Sequence, residues 1–218
     1  MPVDLTAYAT AAEYRERTGR VSTSADTLVG TLLTTVSRVV DRRVGVADGM
    51  FNDASALAFT FDAFGGSLLR LRDQDGMQYL LRAVTANKIE IDGGDGAFDE
   101  YTLDFADAWV RGYPTNALAL SRPFTAIELL SHLSTCNPSA WPSQVAAVRI
   151  TGDWGWAAVP GGIKERVIGI TRELIDVQHA GAAMSVTAVE DAIARVPSAR
   201  SLMNLIEREF NYRIPGVA

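Results

Sequence analysis

The chain has 218 residues, 48% of them hydrophobic and 21% charged, the composition of a folded globular protein rather than a disordered one. Its net charge is −6, and its basic residues are scattered, with Arg38, Arg42 and Arg43 the densest short run; this argues against a protein whose main work is to grip nucleic acid through a basic stripe. One cysteine, Cys136, excludes an internal disulfide. No basic-then-apolar leader opens the chain, and no apolar run approaches the roughly 20 residues that cross a bilayer, so a soluble form with no membrane partner is expected.

The first 45 residues read as two helices. Thr10 and Glu13 have the spacing of a capping box, in which each side chain satisfies the other's free backbone N–H. The helix they open, over residues 11–18, should end at Gly19. A second helix should start near Thr23 or Ser24, carry the stripe Leu28, Leu32, Leu33, Val36, Val39 and Val40, and end before Gly45 with Arg42 and Arg43 on its dipole.

After Gly45 the texture changes to short apolar runs split by Gly, Asp and Pro. Residues 57–61, 67–72, 78–85, 88–91, 126–130 and 145–151 read as strands, with Gly65-Gly66 and the Asp73 to Gly76 segment as turns. Helical spacing returns after Pro160: Ile163, Val167, Ile170, Leu174 and Val177 form a stripe that Gly181 should stop. Thr187 and Glu190 repeat the capping-box spacing, Pro197 interrupts, and Ser198 can cap a last helix bearing Leu202, Leu205, Ile206 and Phe210. The expected fold is α+β: an α-helical bundle of two N-terminal helices plus long C-terminal helices, interrupted by a β-rich insertion and ending in an extended tail. Residues 1–46 and 157–218 form the bundle and tail, and 47–156 the insertion.

Residues with catalytic chemistry are few. Asp92, Asp95, Asp99, Glu100 and Asp104 make an acidic loop, but Gly94 stands where a calcium loop needs its second ligand. A paired-carboxylate hydrolase or glycan site, with Trp109 beside Asp92 and Asp95, can be drawn on the same segment. His132 and His179 have no metal-like partner at close spacing, and Cys136 has only these two histidines as possible bases. No phosphate-binding, dinucleotide-binding or hydrolase motif occurs. No catalytic residue, metal or cofactor is therefore assigned, and a non-enzymatic chain is expected.

The most distinctive segment runs from Ile150 to Pro160, ITGDWGWAAVP. Trp154 and Trp156 flank Gly155, so a continuing strand would put both indoles on one face. They read as a structural joint between the β-rich part and the helix that Pro160 prepares, with a subunit contact or a stacking platform for a sugar or base as the other uses.

This junction resembles head-to-tail adaptor proteins of long-tailed bacteriophages, also called connector or head-completion proteins, in which a Trp-Gly-Trp and Val-Pro junction precedes a long helix. The short capped helix ending at Thr18-Gly19, the second helix ending at Val39 to Arg43, the Trp141-Pro142 pair and the Tyr212-Arg213 tail are similar to that family as well. Of the 20 basic residues only Lys88 and Lys164 are lysine, which suits a phage of a high-GC host. Residues from about 95 to 139 match nothing in the family pattern. The resemblance implies a structural virion protein of the neck, assembled in the host cytoplasm. It would form a homo-oligomeric ring of about twelve copies between the portal and a stopper or tail-completion protein. Double-stranded DNA would pass through the ring without sequence-specific binding. Arg208, Tyr212, Arg213 and Ile214 would face the portal, and Trp154, Gly155, Trp156 and Pro160 would be the joint. Another neck component, such as a stopper or tail terminator, is the nearest alternative.

Overall fold

The computed structural model describes residues 6–20, 22–82, 88–92, 94–98, 101–104, 110–117, 119–130, 140–178 and 185–210. The chain divides into two compact units, one formed by Asp53–Ala157 and the other by Pro2–Asn52 together with Ala158–Ala218. One unit is thus an insertion in the sequence of the other.

The second unit is helical. Helix α1 (Ala11–Thr18) opens with the capping box: the Glu13 N–H donates to the Thr10 hydroxyl at 3.2 Å and the Thr10 N–H to the Glu13 carboxylate at 2.8 Å. Helix α2 (Asp26–Val44) starts two residues later than Ser24, from Ala25, which offers no side-chain cap. Asp26 favours the positive end of its dipole and pairs with Arg15. Gly45 ends α2 in the left-handed conformation, its N–H bonded to the Asp41 carbonyl. Leu32, Leu33, Val36, Val39, Val40 and Val44 are buried along α2, which packs against α3 (Gly161–Gln178), α4 (Val186–Arg195) and α5 (Pro197–Glu209). Ile163, Val167, Ile170 and Leu174 of α3, Val189 and Ile193 of α4, and Met203 and Ile206 of α5 complete this core. Leu28, expected in the α2 stripe, is only half-buried, and Val29 takes the inward place.

The expectation of a bundle with long C-terminal helices is overturned. The molecule is α+β, with five helices and two small antiparallel sheets among the described residues, and the C-terminal segment is cut into helices of 18, 10 and 13 residues. The cuts have local causes. Ser185, not Thr187, caps α4 by accepting from the Ala188 N–H at 3.2 Å. Val196 both closes α4 and precedes α5, whose first residue is Pro197; a proline there has no N–H to lose and fixes the helical φ. Ser198 does not cap; its hydroxyl donates to Glu173 at 2.5 Å. The expected stop at Gly181 and the extended tail lie outside the described residues.

The first unit holds the strands β1 (Asp53–Phe64), β2 (Leu68–Arg70), β3 (Lys88–Ile91), β4 (Tyr101–Asp104), β5 (Val110–Tyr113), β6 (Ala126–Leu129) and β7 (Ser143–Gly155). One sheet has the order β1-β7-β3-β4 and the other β2-β6-β5, both antiparallel throughout. The long pair β1–β7 runs from Asp53↔Gly155 to Phe64↔Ser143, so the chain enters and leaves this unit on adjacent strands. Of the stretch expected as a strand over 78–85, the described residues 78–82 do not form one. Gln78 and Leu81 form single bridges only, Gln78 to Arg72 and Leu81 to both Phe124 and Trp154, and residues 83–87 lie outside the described set. This segment braces the two sheets: the Leu81 N–H bonds to the Phe124 carbonyl and the Arg82 N–H to the Asp153 carbonyl, each at 2.9 Å. The Gln78 amide nitrogen, buried, lies 2.7–2.8 Å from the carbonyls of Leu71, Tyr79 and Thr125.

Candidate functional site

In the acidic loop the described carboxylates, Asp92 and Asp95, each bond to backbone N–H groups of the loop itself. Asp92 is buried, and one carboxylate oxygen accepts from the Gly94 and Gly96 N–H groups at 2.8 and 3.0 Å, while the other accepts from Gln144 at 3.4 Å. Asp95 is exposed and accepts from the Ala97 N–H at 2.8 Å. Both do the work of loop-shaping aspartates, whose oxygens replace a backbone acceptor in a turn. Asp104 closes β4 in register with Lys88. Asp99, Glu100, Trp109, His132, Cys136 and His179 lie outside the described residues. Among the described residues no group of three or more His, Cys, Asp or Glu side chains is placed to hold a metal ion.

The segment around Trp154 is a built feature. Trp154 is fully buried, and its indole N–H donates to the Leu57 carbonyl at 3.0 Å. Its ring meets Phe59 edge-on at 4.9 Å, Phe61 at 5.7 Å and Tyr79 at 6.2 Å, an aromatic cluster at the centre of the β unit. Strand alternation stops at Gly155, whose φ of +78° only glycine adopts at ease, so Trp156 does not share Trp154's face by strand geometry. Trp156 is half-buried and lines a shallow cleft of about 240 Å³ with Arg82, Arg122 and Pro123. Arg82 is held there by Asp53 at 2.7 Å and Asp153 at 3.4 Å. The cleft falls below the roughly 300 Å³ at which small-molecule sites begin. A buried Trp154 cannot serve as a stacking platform. Pro160 is half-buried and precedes α3, its carbonyl accepting from the N–H groups of Ile163 and Lys164 at 2.9 and 3.1 Å.

The helical unit carries a buried polar cluster that the pattern of residues did not announce. Asp41, fully buried in the last turn of α2, takes the Tyr8 hydroxyl on one oxygen and the Gly49 N–H at 3.0 Å on the other. Arg38 lies 3.2 Å from the same carboxylate, over the Tyr8 ring at 5.2 Å, and donates to the Thr6 carbonyl at 3.4 Å. Burial pushes the Asp41 carboxyl up to about 7, against the pull of Arg38 and the Tyr8 hydroxyl. Burial, with the Asp41 charge beside it, also holds the Tyr8 phenol well above its usual value. The cluster ties residues 6–8 and the loop after α2 to the helix. One signal was in the sequence: an aspartate at a helix C-terminus opposes the dipole, so it needs a specific reason to be there.

Comparison with family models, with curated proteins and with solved structures found no match for this chain.

Of the residues expected to face a partner, Arg208 is exposed in the last turn of α5. Tyr212, Arg213 and Ile214 lie outside the described residues. No helix among the described residues is long and apolar enough to cross a membrane.

Proposed function

We propose that this chain is a head-to-tail adaptor of a long-tailed bacteriophage: a structural subunit of a ring that sits between the portal and a stopper or tail-completion protein and surrounds the DNA passage. One observation carries the reading. Both ends of the chain contribute to a single helical unit around α2, and the β unit is inserted between them through the adjacent strands β1 and β7. The helical unit holds α1 and α2, which are similar to that family's opening, and α3, which follows the Val159-Pro160 junction; the β unit is longer than the minimal all-helical adaptor needs. In this reading Trp154 keeps the inserted unit rigid, and Arg208, with Tyr212, Arg213 and Ile214 after it, reaches the portal, where tyrosine and arginine serve well as anchors. The net charge of −6 favours a passage that lets DNA slide, because such a surface does not hold phosphates. The loop bonds of Asp92 and Asp95 give a hydrolase reading no support.

Electron microscopy of the purified full chain mixed with the portal ring of its own phage tests the proposal. Added ring density on one end of the portal is expected, with Arg208→Ala and Tyr212→Ala weakening it. A chain that stays monomeric and never binds the portal is not an adaptor.

A further inference from the structure

In the sheet β1-β7-β3-β4 every neighbour is antiparallel, so β1 and β4 run in opposite directions at the two edges. Two copies set side by side in the same orientation therefore bring β1 of one against β4 of the next in antiparallel sense. The sheet β2-β6-β5 lacks this property: with three strands its edges run the same way.

β1 has 12 residues and, among the described residues, pairs with β7 alone. Such an edge presents unpaired N–H and C=O groups, and proteins ordinarily blunt it with lysine, proline or bulges. β1 contains no Lys, Arg or Pro, and its two charges, Asp53 and Asp62, and its two register breaks fall outside Leu57–Phe61. Its register breaks, at Ala54/Leu57 and Phe61/Ala63, flank the regular stretch Leu57–Phe61, whose exposed residues, Ala58 and Thr60, are small and uncharged. That stretch is close in length to β4, which has four residues. A cross-strand row Thr60–Arg149–Glu90–Thr102 spans the sheet from edge to edge, so a neighbour joined without stagger places its Thr102 beside Thr60. At the end of the same strand pair Phe64 is 84% exposed and Val145, one residue beyond the Ala63↔Gln144 pair, is 62% exposed.

We infer that the β1 edge of one copy pairs with the β4 edge of the next, joining the four-stranded sheets head to tail into the ring; this rests on the ring reading above. A strand pair of this length with one phenylalanine buries less than the roughly 1,000 Å² a stable interface needs. Two free copies therefore associate weakly, and closure, in which every copy uses both edges, supplies the stability.

Disulfide trapping of the full chain tests it. In a Cys136→Ser background, a chain carrying Thr60→Cys and Thr102→Cys is oxidised at high concentration. A ladder of dimers, trimers and higher species is expected, while Thr60→Cys alone gives none. Dimers from Thr60→Cys alone would mean that β1 pairs with β1, and no cross-link in the double variant would mean that the edges do not meet; either outcome overturns the inference. The second arm adds Ala58→Lys/Thr60→Lys chain, of unchanged melting temperature, to the portal. Loss of ring density is expected. Ring density equal to that of the wild type would overturn the edge pairing and leave the adaptor reading standing. A disulfide ladder from a chain that never binds the portal would do the reverse.

Discussion

The indole N–H of Trp154 donates to the Leu57 carbonyl at 3.0 Å across the β1–β7 pair, inside a ring of Phe59, Phe61 and Tyr79. Packing and hydrogen bonding act on one side chain here, and the two can be separated. Trp154→Phe keeps an aromatic ring and removes the donor, so the Leu57 carbonyl loses its partner; a loss of about 1–3 kcal/mol is expected. Trp154→Ala leaves a cavity and should lose about 3–5 kcal/mol. Urea unfolding followed by the fluorescence of the other tryptophans measures both. Equal losses in the two variants would mean that the hydrogen bond, and not the ring packing, holds the cluster.

Asp41 makes the helical unit sensitive to pH. Its carboxyl sits at about 7 in the fold against roughly 3.9 when unfolded, because burial disfavours the charge. Between these values the folded chain keeps a proton that the unfolded chain releases, so this group's contribution falls as pH rises from about 4 to about 7. The groups around it are the charged Arg38 on the same helix and Asp48 in the following loop, and the neutral Tyr8 phenol from the N-terminal segment. Asp41→Asn removes the titration. Stability measured from pH 4.5 to 8 should show wild type losing ground to the variant as pH rises. A wild type that gains on the variant over that range would mean that the pairing with Arg38 outweighs burial.

Much of the helical unit was legible because its signals are local. The Thr10–Glu13 box, Gly19 and Gly45 as stops, and the α2 and α3 stripes depend on neighbours within a turn or two. The start of α4 differs where two caps compete: Ser185 and Thr187 are both good caps, and it is Ser185 whose hydroxyl accepts from the Ala188 N–H. In the β unit, β4 and β5 were missed because they are short and because Gly112 inside β5 reads as a turn. Gly112 is there for a long-range reason: a Cβ would meet the Phe124 ring at 2.6 Å. The Tyr8–Arg38–Asp41 cluster joins residues 33 positions apart, and the Gln78 amide binds a carbonyl 47 positions away, separations that no local pattern encodes.

Glu90 gives the β unit the opposite pH response. It accepts from Arg149 at 2.8 Å and from Lys88 at 2.7 Å, and Arg149 lies over the Phe98 ring at 4.4 Å. The hydrogen bonds from Arg149 and then Lys88 hold its carboxyl at about 2, below the unfolded value of roughly 4.3. Its contribution is complete above that unfolded value and is lost as pH falls from there towards 2. Glu90→Gln should therefore be less stable than wild type at pH 6, with the gap closing near pH 2. A gap that is unchanged at pH 2 would show that the carboxylate charge contributes nothing.

Two glycines distinguish a rigid close approach from a compliant one. At Gly112 a Cβ would sit 2.6 Å from three atoms of the Phe124 ring, and a ring seated in a core cannot bend aside. Gly112→Ala should cost about 1–3 kcal/mol, as overpacking does. At Gly169, inside α3, the Cβ would meet only the terminal methyl of Leu202 on α5 at 2.9 Å. That methyl can move by rotation, and alanine favours the helix by about 1 kcal/mol over glycine, so Gly169→Ala should change stability by less than about 1 kcal/mol. Urea midpoints of the two variants decide it. A Gly169→Ala loss as large as that of Gly112→Ala would mean that α3 and α5 are locked together at Leu202 as tightly as β5 is to Phe124.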